Sequence, residues 1–200
     1  YALSVLRMQT EAKANLSPFS PIHGKLWCTA SANYILPIYR VRKTMSKVVI
    51  IMGSKSDLDW CQNISATLDK LGVDSVCRVA SAHKVPIKCY ELIKEYEQEP
   101  VVFITVAGRS NALSGFTDGQ TWCPVIACPP YSSTFAGGDI YSSLRMPSFV
   151  APMTVLEPAN AALAAAKILA MSDVQVKERI IAYQQSAKDA LEADDKEINQ

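Results

Sequence analysis

The stretch Val48-Val-Ile-Ile-Met52-Gly-Ser-Lys-Ser-Asp57 decides the fold, because it joins a continuous apolar run to a polar turn led by glycine. A run of this kind, rich in β-branched residues, predicts a strand that is buried on both faces. Apolar residues then recur at intervals of three or four, at Leu58, Cys61, Ile64, Leu68 and Leu71. This spacing predicts an amphipathic helix, with Ser56 or Asp57 as its N-cap and Gly72 at its C-terminal end.

The same strand, loop and helix pattern recurs along the chain. Further strands are predicted over residues 74–79, 101–107, 124–128 and 149–155, and further helices over residues 85–97, 112–120, 160–171 and 173–197. Residues 129–147 are rich in turn-forming residues, and the helix over 160–171 is rich in alanine, which suits close packing against another helix or subunit. Apolar strands that alternate with amphipathic helices predict an α/β protein, a three-layer doubly wound parallel sheet.

Composition excludes several classes of protein. The 200 residues are 49% hydrophobic and 20% charged, with a formal net charge of +1, which does not fit a disordered chain. The balanced charge gives no reason to expect binding to nucleic acid or to a membrane surface. The longest apolar stretch, residues 149–171, is interrupted by charged residues and prolines, so no membrane-spanning helix is predicted.

The near-neutral total conceals two regions of opposite charge. Residues 1–45 carry six basic residues and one acidic residue, whereas residues 46–200 have an acidic excess. We therefore expect a basic, poorly ordered extension over 1–45 and a single domain over 46–200. The extension resembles an organelle transit peptide in composition, but residues 34–39 make a poor amphipathic helix. An untidy extension, or sequence upstream of a start at Met45, is the favoured interpretation.

The cysteines favour a cytoplasmic protein. Six of them are spread singly through the chain, at positions 28, 61, 77, 89, 123 and 128. No two form a Cys-x-x-Cys pair, and only two histidines are present, so no metal site is predicted. Small buried thiols in a reducing compartment are the expected state.

Polar loops follow the first three predicted strands, at the edge where open parallel sheets bind ligands. The first, Gly53-Ser-Lys-Ser-Asp57, resembles an anion cradle, since its glycine admits a close ligand and a helix N-terminus lies behind it. It matches neither the dinucleotide fingerprint nor the Walker loop. Composition favours helix capping for Asp57, and hydrogen bonding to a ribose diol is the alternative.

The other two loops add a proton carrier and more hydrogen-bond donors. His83, in Ser81-Ala-His-Lys84, is the one histidine of the predicted domain. A lone histidine is more often structural than catalytic, but the position of His83 after a strand end favours a role in proton transfer. Gly108-Arg-Ser-Asn111 alone would indicate no more than a capped turn between strand and helix. Together the three loops predict a small anionic ligand, such as a phosphorylated sugar or nucleotide.

These motifs resemble a known enzyme family. Met52-Gly-Ser-Lys-Ser-Asp57, Ser81-Ala-His-Lys84 and Ala107-Gly-Arg-Ser-Asn-Ala-Leu-Ser-Gly115 are similar to the signature loops of phosphoribosylaminoimidazole carboxylases. Cys128-Pro-Pro130 and Asp139-Ile-Tyr-Ser-Ser-Leu-Arg-Met-Pro147 continue the resemblance in order. It implies a flavodoxin-like fold, an AIR carboxylase domain over 46–200, and action on aminoimidazole ribonucleotide (AIR) in purine biosynthesis, with no metal or organic cofactor.

The family has two branches, and the third loop separates them. A mutase branch, which moves a carboxyl group within N5-carboxyaminoimidazole ribonucleotide, has a loop resembling Gly-Gly-Ala-Ala-His. A carboxylase branch that uses CO2 without ATP has Gly-Arg-Ser-Asn, as here at Gly108–Asn111, and Lys84 also resembles that branch. Val85 departs from the threonine of many relatives, which puts one hydroxyl contact near the phosphate in doubt. The mutase and a non-catalytic nucleotide-binding module are the alternative functions.

The resemblance also implies roles for individual residues. His83 would be the general base, and Gly108, Arg109, Ser110 and Asn111 would shape a CO2 pocket. The substrate-binding positions that would hold ribose and phosphate are Gly53, Ser54, Ser56, Asp57, Ser81, Ala82 and Lys84. The expected partners are AIR, CO2 and the product carboxyaminoimidazole ribonucleotide (CAIR), together with further copies of the chain, since the family forms homo-oligomers that are commonly octamers.

Overall fold

The computed structural model describes residues 47–199. The extension predicted for residues 1–45, the boundary at 46 and Cys28 lie outside the described residues.

Strands and helices alternate along this part of the chain. The strands are β1 Lys47–Met52, β2 Asp74–Val79, β3 Val101–Val106, β4 Val125–Ala127 and β5 Met153–Thr154. The helices are α1 Leu58–Lys70, α2 Pro86–Tyr96, α3 Ala112–Asp118, α4 Tyr141–Leu144, α5 Pro158–Leu169 and α6 Val174–Ile198. Two short 3₁₀ segments, Lys55–Asp57 and Thr134–Ile140, precede α1 and α4.

The strands form one parallel sheet in the order β2-β1-β3-β4-β5. From β1 the chain moves to one side to form β2 and then crosses to the other side to form β3, so the strand order reverses beside β1. Met52 pairs with both Val79 and Val106, which places the carboxyl ends of these three strands at the same level. The loops that follow them therefore meet at one edge of the sheet, as the doubly wound prediction requires.

Helices cover both faces of the sheet. Along β1, Val48, Ile50 and Met52 pack in a core with α1 and α5, whereas Val49 and Ile51 pack in a second core with α2 and α3. All five are at most 2% exposed, and burying a side chain of this size stabilises the fold by about 1.5–3 kcal/mol. The layered architecture predicted from the apolar runs is confirmed.

Alanines bring α5 close to α1. Ala161, Ala162, Ala165 and Ala166 of α5 are fully buried, and they lie in the same core as Ile64 and Leu68 of α1. The small side chains predicted to suit close packing therefore meet another helix of the same chain. Helix α6 packs through Val176 and Ile180 near its start.

The helix ends follow the sequence signals, and Gly72 is the clearest case. It has φ of 66°, the left-handed conformation expected just beyond a helix, and its carbonyl accepts a hydrogen bond of 3.2 Å from Arg179 of α6. No helix within residues 47–199 is long and apolar enough to cross a membrane.

The last predicted strand is much shorter than expected. The prediction covered residues 149–155, but β5 contains only Met153 and Thr154. Phe149 has φ of 67°, which ends extended structure there, and the Ala151 amide donates to Asp118 Oδ2 at 2.7 Å instead of to a neighbouring strand. The extended prediction at the start of this segment is therefore wrong.

Candidate active site

The loop after β1 is closed tightly against β3. The Gly53 amide donates to the Val106 carbonyl at 2.9 Å, and a Cβ atom at Gly53 would lie 3.4 Å from the Ala107 Cβ. Ser54 caps the following 3₁₀ segment, because its Oγ accepts from the Ser56 amide at 3.3 Å. Glycine therefore allows the close approach, and Ser54 caps the 3₁₀ segment that precedes α1.

Asp57 takes the N-cap position of α1, but its side chain makes no capping hydrogen bond. Burial raises the pKa of this carboxyl above its ordinary value. Hydrogen bonds from the Ser56 hydroxyl and from the Ser54 backbone lower the pKa and only partly offset that effect. The carboxylate is thus held at the sheet edge without a structural partner on the helix, which leaves it available to a ligand.

The loop after β2 is a compact turn. The Ser81 carbonyl accepts from the Val85 amide at 2.9 Å, and Ser81 Oγ accepts from the Lys84 amide at 3.3 Å. His83 and Lys84 stand exposed at the tip of this turn. Helix α2 then begins with Val85 at its N-cap, which makes no side-chain capping bond.

The loop after β3 carries a residue in the left-handed conformation. Arg109 has φ of 59°, which is unfavourable for a residue with a Cβ atom and is typical of ligand-binding loops. Its carbonyl oxygen lies 3.2 Å from Ser142 Oγ. Ser142 Oγ also accepts a hydrogen bond of 2.9 Å from the Asn111 amide. Ser142 thus connects this loop to the short helix α4.

The Asn111 side chain makes hydrogen bonds that hold the third loop in place. Its Oδ1 accepts from the Ser114 amide at 3.2 Å and so caps α3, while its Nδ2 donates to Ser143 Oγ at 2.9 Å. The residue is 4% exposed. The structure therefore does not bring the Asn111 side chain to the wall of the site, where the sequence had placed it.

The three loops enclose a cleft of about 570 Å³. Every other site residue proposed from the sequence lines it: Gly53, Ser54, Ser56, Asp57, Ser81, Ala82, His83, Lys84, Gly108, Arg109 and Ser110. Ala107 and Leu113 also line the cleft and were not among the predicted site residues. The position of Ala107, the first residue after β3, could have indicated this contact, whereas Leu113 reads as an ordinary core residue of α3.

The chemistry of the cleft suits a ribose phosphate. Hydroxyls of four serines, Lys84 and Arg109 offer donors to a phosphate or carboxylate, and the N-termini of α1 and α2 add positive partial charge at the same edge. Asp57 is the one carboxylate among the described residues that line the cleft, and it can accept hydrogen bonds from a diol. In the part of the chain that the structure describes, no three acidic, histidine or cysteine side chains are grouped as metal ligands.

Comparison with known proteins identifies a family for most of the described residues. The family model for AIR carboxylase matches residues 47–190. A phosphoribosylaminoimidazole carboxylase of Archaeoglobus fulgidus is 59% identical over 152 residues, which are 76% of this chain and 84% of that protein. A phosphoribosylaminoimidazole carboxylase of Treponema denticola is 46% identical over 76% of this chain and 96% of that protein.

A solved structure confirms the architecture. The crystal structure of Treponema denticola PurE has a TM-score of 0.76 and 44% identity, and the match covers 78% of this chain and 99% of that chain. The expected flavodoxin-like α/β fold is therefore confirmed. Since the family model covers well over half of the chain and relatives of 59% and 46% identity match it over three quarters of its length, the chain belongs to the AIR carboxylase family.

Proposed function

We propose that this protein joins CO2 to the ring carbon of AIR, without ATP, and so forms CAIR for purine biosynthesis. The observation that carries the proposal is the cleft itself, in which His83 stands among donors suited to a ribose phosphate and to a new carboxylate. His83 is also the one histidine among residues 47–199.

The chemistry needs one base. AIR is an enamine whose ring carbon attacks the carbon of CO2 and forms a carbon–carbon bond with it. The electrons of one C=O π bond move onto oxygen, which gives a carboxylate. The ring carbon that made the attack is then tetrahedral and must lose its proton to restore the aromatic ring. His83 takes that proton, since the free nitrogen of a neutral imidazole can accept a proton and release it again.

The other cleft residues hold the two ends of the reacting pair. Ser54, Ser56, Ser81 and Lys84 bind the phosphate and ribose hydroxyls, with Gly53 and Ala82 supplying close backbone, and Asp57 accepts from the ribose diol. Gly108, Arg109 and Ser110 receive CO2 and the carboxylate that it becomes, and Asn111 keeps their loop in place. A cation beside the developing carboxylate stabilises the charge that appears during the reaction.

The third loop supports the carboxylase over the mutase. Arg109, Ser110 and Asn111 stand where the mutase branch resembles Gly-Gly-Ala-Ala-His, and Lys84 also follows the carboxylase pattern. A decisive assay gives the full chain AIR with isotopically labelled bicarbonate and CO2, with ATP absent, and follows label into CAIR. Conversion of N5-carboxyaminoimidazole ribonucleotide, with no label incorporated from AIR and CO2, would identify a mutase instead.

Replacement of the base tests the assignment of His83. We expect His83→Asn to lower kcat by about 10²- to 10⁴-fold, the usual contribution of a positioned base, while AIR still binds. Lys84→Gln is the contrasting variant, because it removes a phosphate contact and should raise KM for AIR with kcat largely kept. Near-normal turnover by His83→Asn would refute the assignment.

We extend the proposal to assembly and location. Large apolar side chains are unusually exposed for a monomer, among them Phe149 at 104%, Phe135 at 84% and Trp122 at 67%, which supports a homo-oligomer such as the octamer common in this family. A single-chain mass in sedimentation velocity would contradict it. The free state of all five described cysteines supports a reducing, cytoplasmic location.

A further inference from the structure

A second, smaller cavity lies behind the third loop. It has a volume of about 170 Å³ and shares Ala107 and Gly108 with the larger cleft, so the two cavities adjoin at these residues. A Cβ atom at Gly108 would lie 3.6 Å from the Pro130 Cγ, which shows how little separates the loop from the opposite side of the cavity. Much of the remaining lining is apolar, from Pro129, Pro130, Ile140 and Leu156.

A residue that lines this cavity carries a polar atom with no partner among the described residues. Asp139 lines the cavity, and its Oδ2 is buried yet accepts no hydrogen bond from any described residue. The Tyr131 hydroxyl, which also lines the cavity, donates to Glu157 instead. A buried acceptor without a donor is costly to the fold, so a ligand that supplies an N–H or O–H group would relieve that cost.

The backbone of Asp139 is fixed to the active-site loop. Ser142 Oγ donates to the Asp139 carbonyl at 2.8 Å and lies 3.2 Å from the Arg109 carbonyl. The backbone that carries the Asp139 carboxylate is therefore fixed relative to the loop that lines the larger cleft.

We propose that this cavity receives the aminoimidazole ring of AIR and that Asp139 Oδ2 accepts a hydrogen bond from its exocyclic amine. The inference rests on the proposed function. A small flat ring suits apolar walls of this volume, and the amine supplies the donor that the carboxylate lacks. CO2 has no hydrogen to donate, and the bicarbonate anion would be repelled by the carboxylate.

The contact would also assist the reaction. An anionic acceptor on the amine favours donation of the nitrogen lone pair into the ring, which raises electron density on the carbon that attacks CO2. Asp139 therefore acts on the specificity for AIR and on the reactivity of its ring, in a role distinct from that of His83.

The test compares two nucleotides that differ only in the amine. Calorimetry measures the binding of AIR and of 1-(5-phosphoribosyl)imidazole, in which hydrogen replaces the amine, to the unmodified protein and to Asp139→Ala. A hydrogen bond to a charged group is worth about ten- to hundredfold in affinity, so the unmodified protein should prefer AIR by about that factor. Asp139→Ala should lose the preference and bind the analogue as before, and Asp139→Asn should keep part of it.

Two controls separate this role from a structural one. Asp69→Ala makes the same change at an exposed position in the last turn of α1, outside both cavities, and should leave the preference intact. Because Asp139 Oδ2 has no partner among residues 47–199 to lose, Asp139→Ala should also keep the melting temperature of the unmodified protein.

Three outcomes would overturn the inference. The first is that Asp139→Ala weakens the binding of both nucleotides equally, and the second is that it leaves the preference for AIR unchanged. The third is that it raises KM for CO2 alone, which would assign the cavity to CO2. If the unmodified protein binds and carboxylates AIR while any of these is observed, the inference alone fails. If it binds neither nucleotide, the proposed function fails and the inference with it.

Discussion

The carboxylate of Asp57 stands in the cleft with a raised pKa, because burial disfavours its charged form. A raised pKa in the folded state means that this group stabilises the fold below the ordinary aspartate pKa of about 3.9, and that the contribution is lost as the pH rises through the folded pKa. At neutral pH the ionised carboxylate thus lowers the stability of the fold. A carboxylate at this position is what the proposed binding of ribose requires.

Asp57→Asn separates binding from stability. We expect the variant to melt at the same temperature as the unmodified protein or higher at pH 7, because it removes a half-buried charge and breaks no capping bond. Its affinity for AIR should fall about tenfold or more, as a charged acceptor for the diol is lost. Asp59→Asn, two residues along on the exposed side of α1, is the matched control. A lower melting temperature with unchanged affinity would assign Asp57 a purely structural role.

At this scale the sequence predicts which residues line the cleft better than it predicts what each one does. Loops at strand ends identify Ser54, His83 and Lys84 without knowledge of distant contacts. The role of Asn111 depends on Ser143, which is 32 positions away, and the left-handed backbone of Arg109 is held through Ser142. No local pattern encodes either contact.

Among the secondary-structure elements, the junction of α1 with α6 depends on Gly72. Its φ of 66° disfavours any side chain, and a Cβ atom there would overlap the Arg179 guanidinium, which donates to the Gly72 carbonyl. We expect Gly72→Ala to lower the free energy of unfolding by about 1–2 kcal/mol from backbone strain and by about 0.5–1.5 kcal/mol from the displaced hydrogen bond.

Urea unfolding of a double-variant cycle checks both contributions. In the Arg179→Ala background the hydrogen bond is already absent, so Gly72→Ala should cost the strain alone. Equal losses in the two backgrounds would show that the Arg179 contact adds nothing to stability.

Periodic apolar spacing locates α1, α2 and α6 to within a few residues, because each helix buries one face against the sheet or a neighbouring helix. Apolar spacing does not predict the structure of residues 129–155, because contacts between distant residues, rather than a periodic pattern, determine the path of the backbone there. Phe135 and Ala136 both have φ of 52°, in the left-handed region, within the 3₁₀ segment before α4. That segment also carries Asp139, so the second cavity could not be predicted from the sequence.

Over the whole molecule, the reversal of strand order beside β1 creates the site. Level carboxyl ends of β1, β2 and β3 bring together loops that lie far apart in sequence, from residue 53 to residue 111. Alternating strands and helices in the sequence predict this convergence, because parallel strands joined by helices place every such loop at one edge.

The whole fold also depends on its buried thiols remaining protonated. Burial raises the pKa of Cys61 to about 12 and those of Cys89 and Cys128 to about 11, from the ordinary thiol value of 9.0. Above pH 9 the unfolded chain releases these protons while the folded chain still holds them, so stability falls as the pH rises. Three retained protons correspond to a loss of about 4 kcal/mol per pH unit.

This loss is a large part of the about 5–15 kcal/mol that stabilises an ordinary domain. We therefore expect the free energy of urea unfolding to fall by about 4 kcal/mol in total between about pH 8 and about pH 10. Cys61→Ala should be less stable at the lower pH, because it leaves a small cavity, yet its stability should fall about one third less steeply with pH. If Cys61→Ala and the unmodified protein lose stability at the same rate, ionisation of Cys61 does not limit the alkaline stability of the fold.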